Sequence, residues 1–253
     1  MPCEPDSSVV IELIHEDQAS KVLDFLDYHF FPCETLFVAC GLNVLPPELR
    51  QLECPSISCS QMQKWLQEEH SLAAINQSDG SIIGLAINIL FDESHHQEDE
   101  TDSPFKLQAI FCALACADKD YNFSEITGAK KGLELLFLGV HENYSGRGLA
   151  QQLTQQTIQL ARDKKLSFIK SNPTSPKTFH ILEKHSFDQI SRLKLSDISL
   201  CGTPCFPLAK AEDCVGLMVL NLSWLHSRRF YCKMIRPNEC FIQVKSINCN
   251  LPR

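Results

Sequence analysis

Three places in this chain carry residue types that could do chemistry. In the first, Ser145-Gly146-Arg147-Gly148-Leu149-Ala150 follows an apolar run, Leu133 to Val140, and a polar turn, His141 to Tyr144. Two glycines between a strand and a helix let the backbone curl and turn successive N–H groups to one side. Together with the positive end of the helix, those amides make a seat for a phosphate or pyrophosphate. The pattern is not a P-loop, since no Gly-Lys-Ser/Thr follows, and it lacks the Gly-x-Gly-x-x-Gly of a dinucleotide fold. A plain glycine turn before a helix fits the same residues. The second place is Glu34, set among Phe30, Phe31, Leu36 and Phe37. A carboxylate among aromatics is partly desolvated, which raises its pKa toward values useful to a general base. A solvated loop residue is the plainer alternative. The third is Asn172-Pro173-Thr174-Ser175-Pro176. Ser175 suits a helix N-cap and Pro176 the first helical position, so capping alone accounts for this stretch.

The elements that must position these residues can be read from periodicity. Val9 to Ile14 is a β-branched run and predicts a first strand. Glu16 to Phe30 carries Ala19, Val22, Leu23, Leu26 and Phe30 at helical spacing and predicts one helix ended by Pro32. Leu45 to Leu52 and Ser60 to His70 read as short helices, the second capped by Ser60. Ala73–Asn76 and Ile82–Leu90 read as a hairpin around Ser78-Asp79-Gly80-Ser81. Phe105 to Ala117 is apolar nearly all round, a core helix, and 118–131 reads as a polar loop. Leu133–Val140 is the central strand. Leu149, Leu153, Thr157, Leu160 and Ala161 give the next helix an apolar face. Leu166–Lys170, Lys177–His185, Phe187–Leu195 and Cys214–Leu222 read as strand, helix, strand and strand, with a loop at Cys201 to Pro207.

The order of these parts resembles the GNAT N-acetyltransferase superfamily, and within it the insect-type arylalkylamine (dopamine/serotonin) N-acetyltransferases. The glycine turn is similar to that family's acetyl-CoA loop, Arg/Gln-x-x-Gly-x-Gly/Ala. Gly148 and Ala150 match, Ser145 replaces the charged or amide residue, and Arg147 stands two residues on. Phe30-Phe31-Pro32-Cys33-Glu34-Thr35-Leu36 resembles FFxDEPL, with Cys33 for Asp and Thr35 for Pro. The family's glutamate is the general base, so the resemblance implies that role for Glu34. Counted back from Phe187, Ser175 and Thr178 fall on the two serines of CTSxxSAxxxEKLGF. It implies that their hydroxyls assist proton transfer and protonate the departing thiolate.

The implied fold is α/β: a mixed central sheet with splayed strands and helices on both faces. The implied cofactor seat is the backbone of Leu138, Gly139 and Val140 for pantetheine. Ser145, Gly146, Arg147, Gly148, Leu149 and Ala150 would take the pyrophosphate, with Ser175 beside the pantetheine arm. The expected activity is acetyl transfer from acetyl-CoA to the primary amine of an arylalkylamine. Two rivals stay open: an acyl-CoA-binding module without turnover, and an acetyltransferase for aliphatic polyamines or amino acids. The resemblance runs from about Val9 to Leu222. It divides the chain into an acetyltransferase domain, residues 1–222, and a C-terminal extension, 223–253. Two short strands, Phe230–Ile235 and Cys240–Val244, can be read in that extension.

Bulk properties set the remaining expectations. A formal net charge of −8 argues against nucleic acid and suits a cationic substrate. No apolar run approaches the roughly 20 residues of a membrane span, and MPCEPDSS lacks the features of a signal peptide. A cytoplasmic monomer is expected. The 13 cysteines are scattered, with no Cys-x-x-Cys pair, so no metal is expected. His95-His96 lies in an acidic stretch that nothing constrains to coordination geometry.

Overall fold

In a computed structural model the described residues are 8–54, 57–94, 104–200 and 202–222. The His95-His96 stretch and the whole of 223–253, with its two expected strands, lie outside them. The chain opens with β1 (Val9–Leu13), a 3-10 turn (Glu16–Gln18) and α1 (Ala19–Phe25). A π-helical turn (Leu26–Phe30), a second 3-10 turn (Phe31–Cys33) and α2 (Thr35–Ala39) follow. Then come α3 (Pro47–Glu53), α4 (Cys59–Gln67), β2 (Leu72–Asn76), β3 (Ser81–Asp92), α5 (Phe105–Asp118), α6 (Phe123–Thr127) and β4 (Lys131–Val140). The last part holds α7 (Leu149–Asp163), β5 (Phe168–Ser171), α8 (Pro176–Lys184), β6 (Asp188–Lys194), β7 (Ser199–Leu200), β8 (Thr203–Pro204) and β9 (Cys214–Asn221).

Seven strands form one sheet in the order β1-β2-β3-β4-β5-β9-β6. Every neighbouring pair is antiparallel except β4 and β5, which run parallel. Alternation along the strands splits the core. Leu72 and Ala86 pack with Leu153 and Ile158 of α7 and Phe179 of α8 on one face. Their neighbours Ala73, Leu85 and Ile87 pack with Val22 of α1 and Met62 and Leu66 of α4 on the other. A further cluster joins α2, α5 and the segment from Leu195 to Phe206.

The N-terminal helix is less regular than its periodicity predicts. The ladder loosens into the π turn at Leu26–Phe30 before Pro32, which has no N–H with which to continue it. Arg50, 6% exposed, donates from Nη1 to the Asp27 carbonyl at 3.1 Å. Three other expectations are corrected. Ser58, not Ser60, caps α4, accepting from the Gln61 N–H. The stretch 118–131 is not all loop: Asn122 caps α6 and Gly128, at φ +77°, closes it. The loop near Pro207 contains the small β7–β8 hairpin.

Two features shape the middle of the sheet. β4 is bulged at Leu136, where its register to β3 passes from Leu135↔Asn88 to Phe137↔Ile87. The buried Asn88 anchors that irregularity, donating from Nδ2 to His70 O at 2.8 Å and to Thr157 Oγ1 of α7 at 3.2 Å. Beyond the bulge β3 still follows β4 to Val140, but β5 does not. The parallel pair holds only at Leu133↔Ile169 and Glu134↔Lys170. Ser171 Oγ adds a last link to Leu135 O at 2.9 Å, and the strands then part. The splay implied by the resemblance is therefore present.

A buried cation marks the closed end of this fork. Lys170, 3% exposed, pairs with Asp118 at hydrogen-bond distance and with Glu134 at 3.5 Å, its ammonium 4.9 Å from the Phe91 ring centre. Burial and the Asp118 charge push the Glu134 carboxyl up, against the pull of Lys170. Lys170→Met should leave two crowded carboxylates and cost about 3–5 kcal/mol near neutral pH. Without the pull of Lys170 the Glu134 carboxyl rises further, so the deficit should shrink as the pH falls and that carboxyl takes up a proton. Urea denaturation at pH 5 and pH 8 measures this; a deficit below about 1 kcal/mol, or one independent of pH, contradicts it.

Candidate active site

The fork, the glycine loop and Glu34 lie on consecutive parts of one wall. Past Glu134, among the described residues, the side of β4 that faces β5 has no strand partner, so backbone groups from Leu136 to Val140 on that side are open to a ligand. The chain then turns. His141 N donates to Ile83 O, Tyr144 N to His141 O and Ser145 N to Glu142 O, making one 3-10 turn. Gly146 (φ +80°) and Gly148 (φ +82°) both adopt the left-handed conformation that β-carbons disfavour. A β-carbon added at Gly146 would meet nothing within 4 Å, so the backbone there is accessible. Gly148 is the N-cap of the 15-residue α7 and supplies no side-chain cap. The N–H groups of the first helical turn have no intrahelical acceptor and carry the positive end of the dipole. Arg147 folds back on its own loop, its Nη2 3.2 Å from Asn143 O and its guanidinium 5.0 Å from the Tyr144 ring centre.

Glu34 is partly buried and not in a loop of its own. It is the N-cap of α2, a helix that the sequence reading missed. Its Oε2 accepts from the Phe37 N–H at 2.9 Å. Its Oε1 accepts from the Thr174 hydroxyl at 2.7 Å, a contact between residues 140 apart in sequence. Burial pushes the carboxyl above its ordinary value. The Thr174 hydroxyl and the backbone N–H groups of Phe37, Leu36 and Thr35 oppose that rise without cancelling it.

Aromatic rings tie this segment to the fork. Phe31 stacks on Phe37 with ring centres 4.6 Å apart and meets Phe137 of β4 edge-on at 5.9 Å. Phe30 lies 5.3 Å from Phe137. Gly139 has no side chain, and a β-carbon there would sit 3.0 Å from the Phe30 ring. The aromatic wall can therefore lie directly against β4. His29 of the π turn also reaches the glycine loop, its ring 4.3 Å from that of His141.

The third stretch is built as a helix start. Ser175 Oγ accepts from the Thr178 N–H at 3.1 Å and sits 2.9 Å from Thr178 Oγ1. The structure thus brings Ser175 and Thr178 together, but the hydroxyl that donates to Glu34 is that of Thr174. Sequence reasoning passed over Thr174, although with Ser175 on the first serine of CTSxxSAxxxEKLGF it falls on that pattern's threonine. Among the described residues no three His, Cys, Asp or Glu side chains form a group able to hold a metal ion. No described helix is long and apolar enough to cross a membrane.

This arrangement offers an anion seat at a helix start, an open strand edge leading away from it, and a desolvated carboxylate among aromatic rings. Its fold is shared with solved structures of different activities. An arylalkylamine N-acetyltransferase 2 from Aedes aegypti is 21% identical, with a TM-score of 0.69, over 86% of this chain and 100% of that one. A Drosophila melanogaster polyamine N-acetyltransferase that forms N-acetylagmatine is 18% identical, with a TM-score of 0.67, over 85% and 100%. The C-terminal condensation domain of Ebony, in complex with β-alanyl-dopamine, is 16% identical, with a TM-score of 0.63, over 85% and 99%. These likenesses establish the fold and leave the substrate open. The sequence profile of the acetyltransferase (GNAT) family matches residues 44–187, more than half of the chain and including the fork, the glycine loop and the start of α8. The chain belongs to the GNAT acetyltransferase family, whose members use acetyl-CoA.

Proposed function

We propose that the protein moves the acetyl group of acetyl-CoA to the primary amine of an arylalkylamine, of the dopamine, serotonin, tyramine or octopamine type, with Glu34 as general base. The observation that carries this reading is the placement of Glu34, partly buried and oriented by two hydrogen bonds, on the segment whose Phe30, Phe31 and Phe37 rings join Phe137 of β4. The open edge of Leu138, Gly139 and Val140 would pair with pantetheine. The amides around Ser145, Gly146, Arg147, Gly148, Leu149 and Ala150 would hold the pyrophosphate. Bound acetyl-CoA supplies the thioester whose acyl carbon the amine attacks.

The chain's own residues handle protons and charge. A protonated amine has no lone pair for attack, so Glu34, directly or through a water, removes a proton first. A carboxyl raised by burial is a stronger base than an ordinary glutamate. The Val140 N–H would polarise the thioester carbonyl. One of the paired hydroxyls of Ser175 and Thr178 would relay a proton to the departing thiolate. The aromatic wall favours a ring-bearing amine over agmatine or an aliphatic polyamine, which have no ring to stack.

Three measurements test this. In an amine panel with acetyl-CoA, tryptamine and dopamine should exceed agmatine and spermidine in kcat/KM by about tenfold or more, roughly 1.4 kcal/mol. The reverse order overturns the substrate class, and absence of CoA release with every amine overturns the enzyme reading.

Glu34→Gln keeps an amide oxygen for the α2 cap, whereas Glu34→Ala would also lose about 1 kcal/mol of capping. Glu34→Gln should lower turnover at neutral pH by roughly 10²–10⁴. The loss should narrow as the pH rises toward the amine's own pKa, because free amine then becomes abundant. A folded Glu34→Gln with the wild-type rate and pH profile removes Glu34 as the base.

For the cofactor seat, Gly148→Glu should weaken acetyl-CoA binding well over tenfold by calorimetry, roughly 1.4 kcal/mol or more. Gly80→Ala, which strains another left-handed glycine (φ +70°) in the β2–β3 turn, controls for backbone strain and should leave affinity unchanged. Equal affinities in both variants refute the assignment of the loop.

A further inference from the structure

Three hydroxyls follow one another at the mouth of the fork, and they do different things. Ser175 and Thr178 face each other across the first turn of α8. Thr174 reaches to the opposite wall and donates to Glu34 Oε1. A hydroxyl donating to a carboxylate at 2.7 Å is a charge-assisted bond, stronger and more directional than one between neutral groups.

The loop that carries Thr174 is held from below. Asn172 Nδ2 donates to Asp118 Oδ1 at 2.7 Å and to Gly216 O at 3.1 Å. Gly216 N donates to Pro173 O at 3.1 Å, and Pro173 is itself buried. Asp118 in turn holds Lys170. The hydroxyl that meets Glu34 therefore hangs from the ionic cluster that closes the fork, not from a loose surface loop.

We propose that Thr174 is a positioning residue for acyl transfer: its hydroxyl, carried across the mouth of the fork, fixes Glu34 Oε1 so that the carboxylate faces the incoming amine. The proposal rests on Glu34 being the base. A carboxylate oxygen has two lone pairs, so Oε1 can accept from Thr174 and still take a proton from an amine or a bridging water. The bond also bears on ionisation. A donor to the charged form favours that form, so loss of the hydroxyl raises the Glu34 carboxyl further. The base is the ionised carboxylate, so a higher value removes activity from the acid side of the pH profile.

Other titratable groups sit on the elements around Glu34. Cys33 lies on the preceding turn and is exposed. Cys40 ends α2, its thiol pushed up to about 12 by burial first and then by Cys54 and Glu34, and it stays neutral in the assay range. Glu134 on β4 is paired with Lys170. His29 on the π turn is held below its ordinary value by burial first and then by His141. Lys177 on α8 is exposed.

The test compares Thr174→Val, which keeps the shape and loses the hydroxyl, with Thr174→Ser, which keeps the hydroxyl, and with Glu34→Gln. The assay is kcat/KM for acetyl-CoA and tryptamine across pH. Thr174→Val should move the acid limb to higher pH by about half a unit or more and lower the neutral-pH rate by about tenfold. The loss should largely recover at alkaline pH, and Thr174→Ser should stay within a few-fold of wild type. An unshifted limb in Thr174→Val, with Glu34→Gln still impaired, overturns the positioning role and leaves the base assignment intact. Wild-type behaviour in Glu34→Gln overturns both.

A second readout does not need turnover. The Glu34 carboxyl can be titrated by carbon NMR in glutamate-labelled protein, with Glu34→Gln to assign the signal. It should titrate at higher pH in Thr174→Val than in wild type, and coincident curves refute the proposal. Thr174→Ala, with the same expected shift in both readouts, replaces Thr174→Val if that variant does not fold.

Discussion

A single buried ammonium governs where the sheet stops being a sheet. Lys170 lies on β5 directly opposite Glu134 on β4, at the last paired position of the only parallel pair among the described strands. A lysine with 3% of its surface exposed would lose its charge if left alone. Desolvation does pull its value down. Glu134 and Asp118 more than reverse that, and the lysine is held above its ordinary value. The three groups carry one positive and two negative charges, so the cluster is short of a cation. Asn172 supplies part of the missing donation through Asp118. The arrangement fixes register: slipping β5 by one residue would put Lys170 on the other face and leave its carboxylates unpaired.

The opening of the fork follows from that fixed point. β5 ends one residue after Lys170, at Ser171, and its hydroxyl spans to Leu135 O where the ladder would otherwise continue. Pro173 cannot donate to a ladder, and Asn172 turns its side chain to Asp118 and to the neighbouring β9. On the other side the bulge at Leu136 changes the twist of β4 just as its partner leaves. The strand edge is thus bared by chain chemistry on both sides. The α7 N-terminus stands at its far end, because β4 runs straight into the glycine loop.

Much of this was legible in the sequence, and what was not has a common cause. The apolar run of β4, the alternating turn and hairpin, the face of α7 and the Ser175-Pro176 start of α8 are local signals, and they appear where periodicity and capping put them. The glycine loop announced itself because positive φ is written in residue type. The irregular parts were hidden. The π turn at Leu26–Phe30 has the same apolar spacing as a regular helix, and α2 is only five residues long, too short for a periodic signature. Lys170 read as the end of a strand, Asp118 as the start of a loop and Thr174 as a turn residue. Their meaning lies in partners 36, 52 and 140 residues distant in sequence. No single-sequence pattern carries contacts of that range. The base role proposed for Glu34 rests on the resemblance; its part as a helix cap shows only in the structure.

The helix cap and the burial of Glu34 pull its ionisation in opposite directions, and the local sequence resolves that tension in a particular way. A carboxylate at an N-cap is stabilised as an anion by N–H groups and the helix dipole, which makes it a weaker base. A carboxylate packed among phenylalanines is destabilised as an anion, which makes it a stronger one. In Glu34 the second effect is the larger. The residue after it shifts the balance. Where the FFxDEPL pattern that this stretch resembles has proline, this chain has Thr35, at the first position of α2. Proline there would suit the helix and bring no N–H. Threonine keeps its N–H, and that group is among those that hold the Glu34 carboxyl down. The substitution therefore moves Glu34 toward the ionised state without touching the carboxylate itself. Thr174 acts in the same direction from the other wall of the fork. In the proposed mechanism, the two together would keep the partly buried Glu34 ionised enough to take a proton from a ring-bearing amine.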